Sequence, residues 1–176
     1  MGDVNQDFPP FEEVYRAHAD TIFRFCIWML RDLHAAEDVA ADVFVAAFKA
    51  YERARPTGDG VQTWLLRIAR NTATSHLRRS ARLGRALTAI GRRTPAPLDV
   101  EGTAELNGEM RLVLEILGTM KQRDQLLIGL RCGGGLSFRE IAEMTGMTEV
   151  GARTATYRAA ERLRVEFINR SGEGGR

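Results

Sequence analysis

The sequence predicts an all-α protein built from two small helical domains joined by a flexible linker. Three observations carry that expectation. Apolar residues recur at three- and four-residue steps through several long windows, which is the spacing of one helix face. Alanine, leucine, arginine and glutamate dominate those windows, and no run of alternating β-branched residues competes with them. Between residues 84 and 104 the pattern dissolves under Gly84, Gly91, Pro95, Pro97 and Gly102.

The first helix is expected over Phe11 to Met29, with Phe11, Val14, Tyr15, Ile22, Phe25, Cys26 and Met29 on its apolar side. Asp32 is a candidate N-cap for a second helix, because its carboxylate can accept from a free amide in the first turn. That helix places Val39, Val43, Phe44, Ala47, Phe48 and Tyr51 on one stripe. Arg55 to Gly60 reads as a loop from its proline and glycines. A third helix, from about Val61 to Leu83, carries Leu65, Ile68, Ala69, Thr72 and Leu77 inward.

The linker is expected over 85–104, with room for a short turn at 85–90. About 20 extended residues reach roughly 65–70 Å, close to two turns of duplex DNA at about 34–36 Å each. The second domain is expected from Glu105, after a first domain over residues 8–84. Leu106, Met110, Val113, Leu114 and Leu117 share one helix, and Arg123, Leu126, Leu127 and Leu130 belong to the next. Gly133, Gly134 and Gly135 end it.

Composition narrows the function. The chain has 176 residues and is 44% hydrophobic, enough to bury a core. The N-terminus is acidic and lacks the apolar stretch of a signal peptide. No apolar stretch approaches the roughly 20 residues of a membrane span, so a cytoplasmic protein without membrane insertion is expected. Cys26 and Cys132 lie far apart among apolar neighbours and read as buried thiols rather than metal ligands or a disulfide. The histidines His18, His34 and His76 fall on separate segments, with no nucleophile–base spacing. No catalytic role, metal or cofactor is therefore expected.

Charge is strongly segregated. Residues 1–59 hold eleven acids and six bases, a net −5. Residues 60–98 hold eight arginines and no acid. A purely basic stretch of this kind suits phosphate. Within it, Trp64, Arg67, Arg70, Asn71, His76, Arg78 and Arg79 combine an aromatic ring with cations and amide donors. Such a set suits single-stranded or distorted DNA, where phosphates are neutralised and an unstacked base lies on a ring. Taken alone, Trp64 suits a core position better than a stacking platform.

Near the C-terminus, Ser137-Phe138-Arg139-Glu140 is a capping box. Gly146 sits in a tight turn, and Thr148 can cap a last helix running to about Phe167. Helices of about seven and twenty residues joined by about three make helix-turn-helix spacing. The small Ala142 allows a close crossing. Arg153, Thr154, Tyr157 and Arg158 share one face, where arginines can take guanine edges and hydroxyls can hold phosphate.

Taken in order, these stretches resemble an extracytoplasmic-function sigma factor of the sigma-70 family over roughly residues 10–168. Ala36 to Phe44 is similar to that family's polymerase-gripping "AED-LVQE-TF" helix. Trp64 to Asn71, followed by Leu77-Arg78-Arg79, is similar to its "WL-x-x-IARN" helix. Gly135 to Ala142 is similar to "GLSYEEIA", and Thr148 to Leu163 to "SEGTVRSRLYRARERL". The resemblance implies a region 2-type bundle over 8–84 and a region 4-type helix-turn-helix over 105–170. It implies a protein that directs core RNA polymerase to promoter DNA.

On this resemblance Glu37, Asp38, Asp42 and Phe44 contact the polymerase β′ coiled coil. Trp64, Arg67, Arg70, Asn71, His76, Arg78 and Arg79 contact the minus-ten element. Arg139, Arg153, Thr154, Tyr157 and Arg158 contact the minus-thirty-five element. The polymerase β flap and an anti-sigma factor are further implied partners. Several positions depart from the pattern: Ala41, Ser75, Ala152, Ala155, Thr156 and Ala160. Two of these replace arginines, which weakens phosphate attraction. Ala152 and Thr156 are expected to loosen the last helix. The alternatives are a sigma-like mimic acting through an anti-sigma protein, and a plain helix-turn-helix regulator. Binding to core polymerase separates them.

Overall fold

The structure is a computed structural model that describes residues 8–58, 60–89 and 107–173. Among the described residues it holds seven α-helices and no strand, in agreement with the all-α expectation.

Helix α1 spans Phe11–Leu30 and α2 spans Leu33–Ala54. The sharp corner between them is local chemistry. Arg31 adopts the left-handed conformation (φ 60°), and its N–H donates to the Ile27 carbonyl. Asp32 then accepts the Ala35 amide at 2.8 Å, as its position suggests. Helix α3 spans Gly60–Ala89 and packs against α1 and α2, closing a three-helix unit. Ile22, Phe25, Cys26, Met29, Val43, Ala47, Leu65, Leu66 and Ala69 form its interior. Burial of each large apolar side chain contributes about 1.5–3 kcal/mol.

Helix α3 is longer than expected: Gly84 does not stop it, and it runs six residues past Leu83. A glycine inside a helix costs only about 1 kcal/mol, which the flanking helix formers outweigh. Residues 85–89 of the expected linker are therefore helical. The rest of the linker, and the expected domain start at Glu105, lie outside the described residues.

The C-terminal unit holds α4 (Gly108–Thr119), α5 (Gln122–Ile128), α6 (Phe138–Thr145) and α7 (Glu149–Glu173). Asn107 caps α4 by accepting the Met110 amide at 2.8 Å. Helix α5 passes into a π-helical turn at Gly129–Gly133, where the Gly134 amide donates to the Gly129 carbonyl at 2.9 Å. The capping box at Ser137 and Glu140 is complete, and Gly146 takes φ 71° at the turn into α7. Thr148 caps α7 by accepting the Gly151 amide at 3.1 Å.

Ala152 and Thr156 do not leave α7 loose. They are only 0% and 5% exposed, and the Thr156 hydroxyl donates to the Ala152 carbonyl at 2.8 Å. Helix α7 continues past Phe167 to Glu173. Cys26 is buried as expected, but Cys132 lies exposed at the π turn.

The two units are docked on one another. Leu127, Leu130, Leu136, Ile141, Ala142, Met144 and Ala152 belong to the same apolar cluster as the N-terminal interior. The π turn seats against α1 so closely that a Cβ on Gly133 would lie 2.8 Å from Trp28 Cδ1 and 2.9 Å from Phe25 Cα. Only glycine fits there.

Candidate nucleic-acid and polymerase interfaces

Helix α2 presents its carboxylates to solvent. Glu37, Asp38 and Asp42 are all exposed, with His34 3.9 Å from Glu37. Phe44 does not join them. It is 8% exposed and packed edge-on against Phe11 and Tyr15, with ring centroids 6.4 and 4.8 Å away. Its helical phase is that of Val43 and Ala47, which face α1. Phe44 is thus a core residue, and only its edge is left open to a partner. Val45 and Phe48 face outward instead, 53% and 65% exposed. For Phe48 this departs from the buried stripe that the sequence predicts. Val45 and Phe48 follow Asp38 and Asp42 at three- and four-residue steps, so a helical wheel phased on the carboxylates would have found them.

On α3 the candidate promoter residues divide. Arg67, Asn71, Arg78 and Arg79 are exposed, and His76 is half-buried. Trp64 is half-buried against the core, its ring 6.1 Å from that of Tyr51. Arg70 is half-buried and donates Nη1 to the Met144 carbonyl at 2.6 Å, on the C-terminal unit. Two further side chains of α3 cross the same seam, and sequence reasoning did not find them. Gln62 donates to the Gly134 carbonyl at 2.7 Å, and Thr63 donates to Glu140 Oε1 at 2.9 Å. From α1, Arg31 donates to Gln125 Oε1 at 2.8 Å. Partial burial there lowers the Arg31 pKa.

Glu140 is the most connected acid of the seam. Burial works to raise its pKa, but bonds from the Ser137 hydroxyl, the Ser137 amide and the Thr63 hydroxyl outweigh it. The carboxyl is held below its ordinary value. Beside it a cleft of about 840 Å³ opens between Gly58, Gly60 and α6. Trp64 and Arg67 from α3 share its wall with Arg139 and Glu143 from α6. The fold therefore brings candidate residues of the downstream and upstream sets into one cleft. His18 also lines it, and desolvation lowers its pKa.

The face of α7 is open. Arg153, Thr154, Tyr157 and Arg158 are all exposed. Phe138 organises the approach to it: its ring lies 5.6 Å from that of Tyr157, and the Arg153 guanidinium sits 5.5 Å from its centroid. Arg153 and Arg139 each reach a glutamate one turn away, Glu149 and Glu143, at 3.2 Å. Exposed pairs of this kind are worth about 0–1 kcal/mol, so a DNA phosphate can displace the acid.

Comparison with known proteins matches residues 14–83 to Sigma-70 region 2 and residues 110–163 to Sigma-70, region 4. The chain is 30% identical over 176 residues to the RNA polymerase sigma-H factor of Pseudomonas aeruginosa, covering 87% of this chain and 83% of that protein. It is 27% identical over 171 residues to the ECF RNA polymerase sigma factor SigE of Mycolicibacterium smegmatis. It is 26% identical over 159 residues to the ECF RNA polymerase sigma factor BldN of Streptomyces coelicolor. The matches to these two span 64% and 58% of their lengths. Among solved structures, the sigma factor RpoE in complex with the anti-sigma factor NepR from Bartonella quintana has a similar fold. The TM-score is 0.69 at 20% identity, covering 90% of this chain and 96% of that one.

Proposed function

The chain belongs to the sigma-70 family, in its extracytoplasmic-function group, and from that premise we propose that it recruits core RNA polymerase to promoter DNA and starts transcription there. One observation carries the reading. The acidic face of α2, the arginines of α3 and the recognition face of α7 lie on three different helices, each with exposed side chains. Polymerase and two DNA elements can thus be held by one chain without competing for the same residues.

In this reading Glu37, Asp38 and Asp42, extended by Val45 and Phe48, dock on the β′ coiled coil. Arg67, Asn71, Arg78 and Arg79 meet the minus-ten phosphates, while Trp64 borders the cleft that receives an extruded base. Extrusion costs a few kcal/mol, offset by contacts to strand and polymerase. Arg70 reaches DNA only after leaving the Met144 carbonyl, so promoter engagement involves parting the seam. Arg153, Thr154, Tyr157 and Arg158, with Arg139 nearby, read the minus-thirty-five element in the major groove. The β flap holds the C-terminal unit. No covalent chemistry is involved, and the protein works in the cytoplasm with polymerase. An anti-sigma protein is a further partner, since the similarly folded RpoE is bound by NepR.

The test is transcription in vitro with purified core polymerase on a promoter library. Enrichment of a two-element promoter class is the expected result. Failure of the chain to join core polymerase would sink the reading.

A further inference from the structure

A smaller cleft of about 430 Å³ crosses the seam elsewhere. Helix α3 supplies Arg70, Thr74 and Arg78 to its wall, and α5 supplies Gln122 and Arg123. Half-buried Leu126 and Met147 line it between them. Among the described residues no carboxylate lines this cleft, and none of the three arginines forms an ion pair. The partners they do have are weak in charge. Arg70 donates to a backbone carbonyl, and Arg123 only to the Met147 sulfur at 3.5 Å. The acid next in sequence, Asp124, is held by Arg162 at 2.7 Å.

Three arginines lining one concavity place like charges near one another, and a cleft focuses their field. A bound anion reverses the sign of that interaction. Guanidinium forks match phosphate oxygens two at a time, and Thr74 and Gln122 add neutral donors. The volume lies in the range of small-molecule pockets, about 300–1,000 Å³. It is too narrow to admit a duplex, although a backbone phosphate could touch its mouth. The thioether and leucine surface suits the organic body of a nucleotide.

We infer that this cleft binds a small phosphate-bearing ligand of the oligophosphate or nucleotide class. The ligand bridges α3 and α5, so it holds the two units together. Arg70 and Arg78 are then withheld from promoter DNA, a consequence that rests on the sigma-factor reading; the binding itself does not.

The experiment is a calorimetric titration of the full chain with inorganic tripolyphosphate and with ATP, at about 0.15 M salt, without polymerase or DNA. Saturable one-to-one binding and a raised thermal midpoint are expected. Arg123→Ala should lose about tenfold or more in affinity, and Arg123→Lys should recover part of it. Arg164→Ala, on α7 and outside the cleft, should bind like the parent chain. Absence of saturable binding overturns the inference. Equal losses in Arg123→Ala and Arg164→Ala overturn it too, since they mark diffuse attraction. A separate arm titrates a promoter duplex. If Arg123→Ala weakens duplex binding and spares tripolyphosphate, the cleft belongs to DNA backbone and the inference fails. Failure of the titration leaves polymerase recruitment untouched, because no polymerase is present.

Discussion

Arg70 and Met144, 74 residues apart in sequence, are joined by a 2.6 Å bond from the guanidinium to the backbone carbonyl. The bond ties the basic helix to the end of the first helix of the helix-turn-helix. A half-buried charged donor of this kind contributes about 1.5–3 kcal/mol. Arg70→Ala should therefore lower the urea midpoint, followed by the combined fluorescence of Trp28 and Trp64. An unchanged midpoint would mean that the units stay docked without it.

Gly133 makes a sharper test of the seam. A methyl group there meets Phe25 backbone at 2.9 Å, which cannot rotate away. Gly133→Ala should destabilise by about 1–3 kcal/mol and increase hydrogen exchange at the π turn. Gly58, where a Cβ would meet nothing within 4 Å, is no steric control because its φ is +53°. Gly108→Ala, with equally open surroundings and no such φ, should be nearly silent.

Phe44 and Phe48 separate folding from docking. Phe44→Ala removes a buried ring and should cost about 3–5 kcal/mol. Phe48→Asp alters a side chain that is 65% exposed and gives up only its edge contact with Phe11, at 5.3 Å between ring centroids, so the thermal midpoint should fall much less than in Phe44→Ala. Pull-down of core polymerase should be lost with Phe48→Asp. Retention of polymerase by that variant would assign docking to the carboxylates alone.

Acid should loosen the seam through Glu140. Its folded pKa lies below the unfolded value, so its stabilisation is fully present above the unfolded pKa, near 4.3. That contribution disappears as pH falls through the lower folded value. Glu140→Gln should flatten the part of the stability–pH curve that falls away below the ordinary glutamate pKa. A curve of the same shape in both proteins would place the acid sensitivity elsewhere.

The two thiols should differ in reactivity. Burial raises the Cys26 pKa to about 12, so almost no thiolate exists at neutral pH. Cys132 is exposed, although partial desolvation raises its pKa as well. A thiol reagent at pH 8 should label Cys132 slowly in the folded chain and Cys26 only after unfolding. Mass spectrometry of timed samples decides this.

Short-range features were legible in the sequence. Asp32, Ser137 with Glu140, Gly146 and Thr148 cap or turn the chain as expected, because capping depends on residues within one helical turn. Helical phase at the edge of a stripe was less legible. Phe44 and Phe48 are both aromatic, four apart and in edge contact with Phe11, and the further contact with Tyr15 goes with the ring that is enclosed, Phe44. The docking of the two units had no sequence signature. It depends on Gln62, Thr63 and Arg70 meeting backbone and carboxylate partners more than seventy residues away. Gly133 reads in sequence as a helix terminator, while its closer constraint is contact with Trp28.

The run-on of α3 through Gly84 changes the tether arithmetic. A 30-residue helix is a rod about 45 Å long. Ala89 and the cap at Asn107 lie 18 residues apart in sequence, a separation that spans at most roughly 60–65 Å in any conformation. Two full turns of duplex exceed that leash. On the proposed sigma-factor reading, the direction of the α3 rod and the winding of its last turn set how far apart the two DNA-contacting faces can be held. On that reading, promoter spacing should depend on the stiffness of residues 84–89.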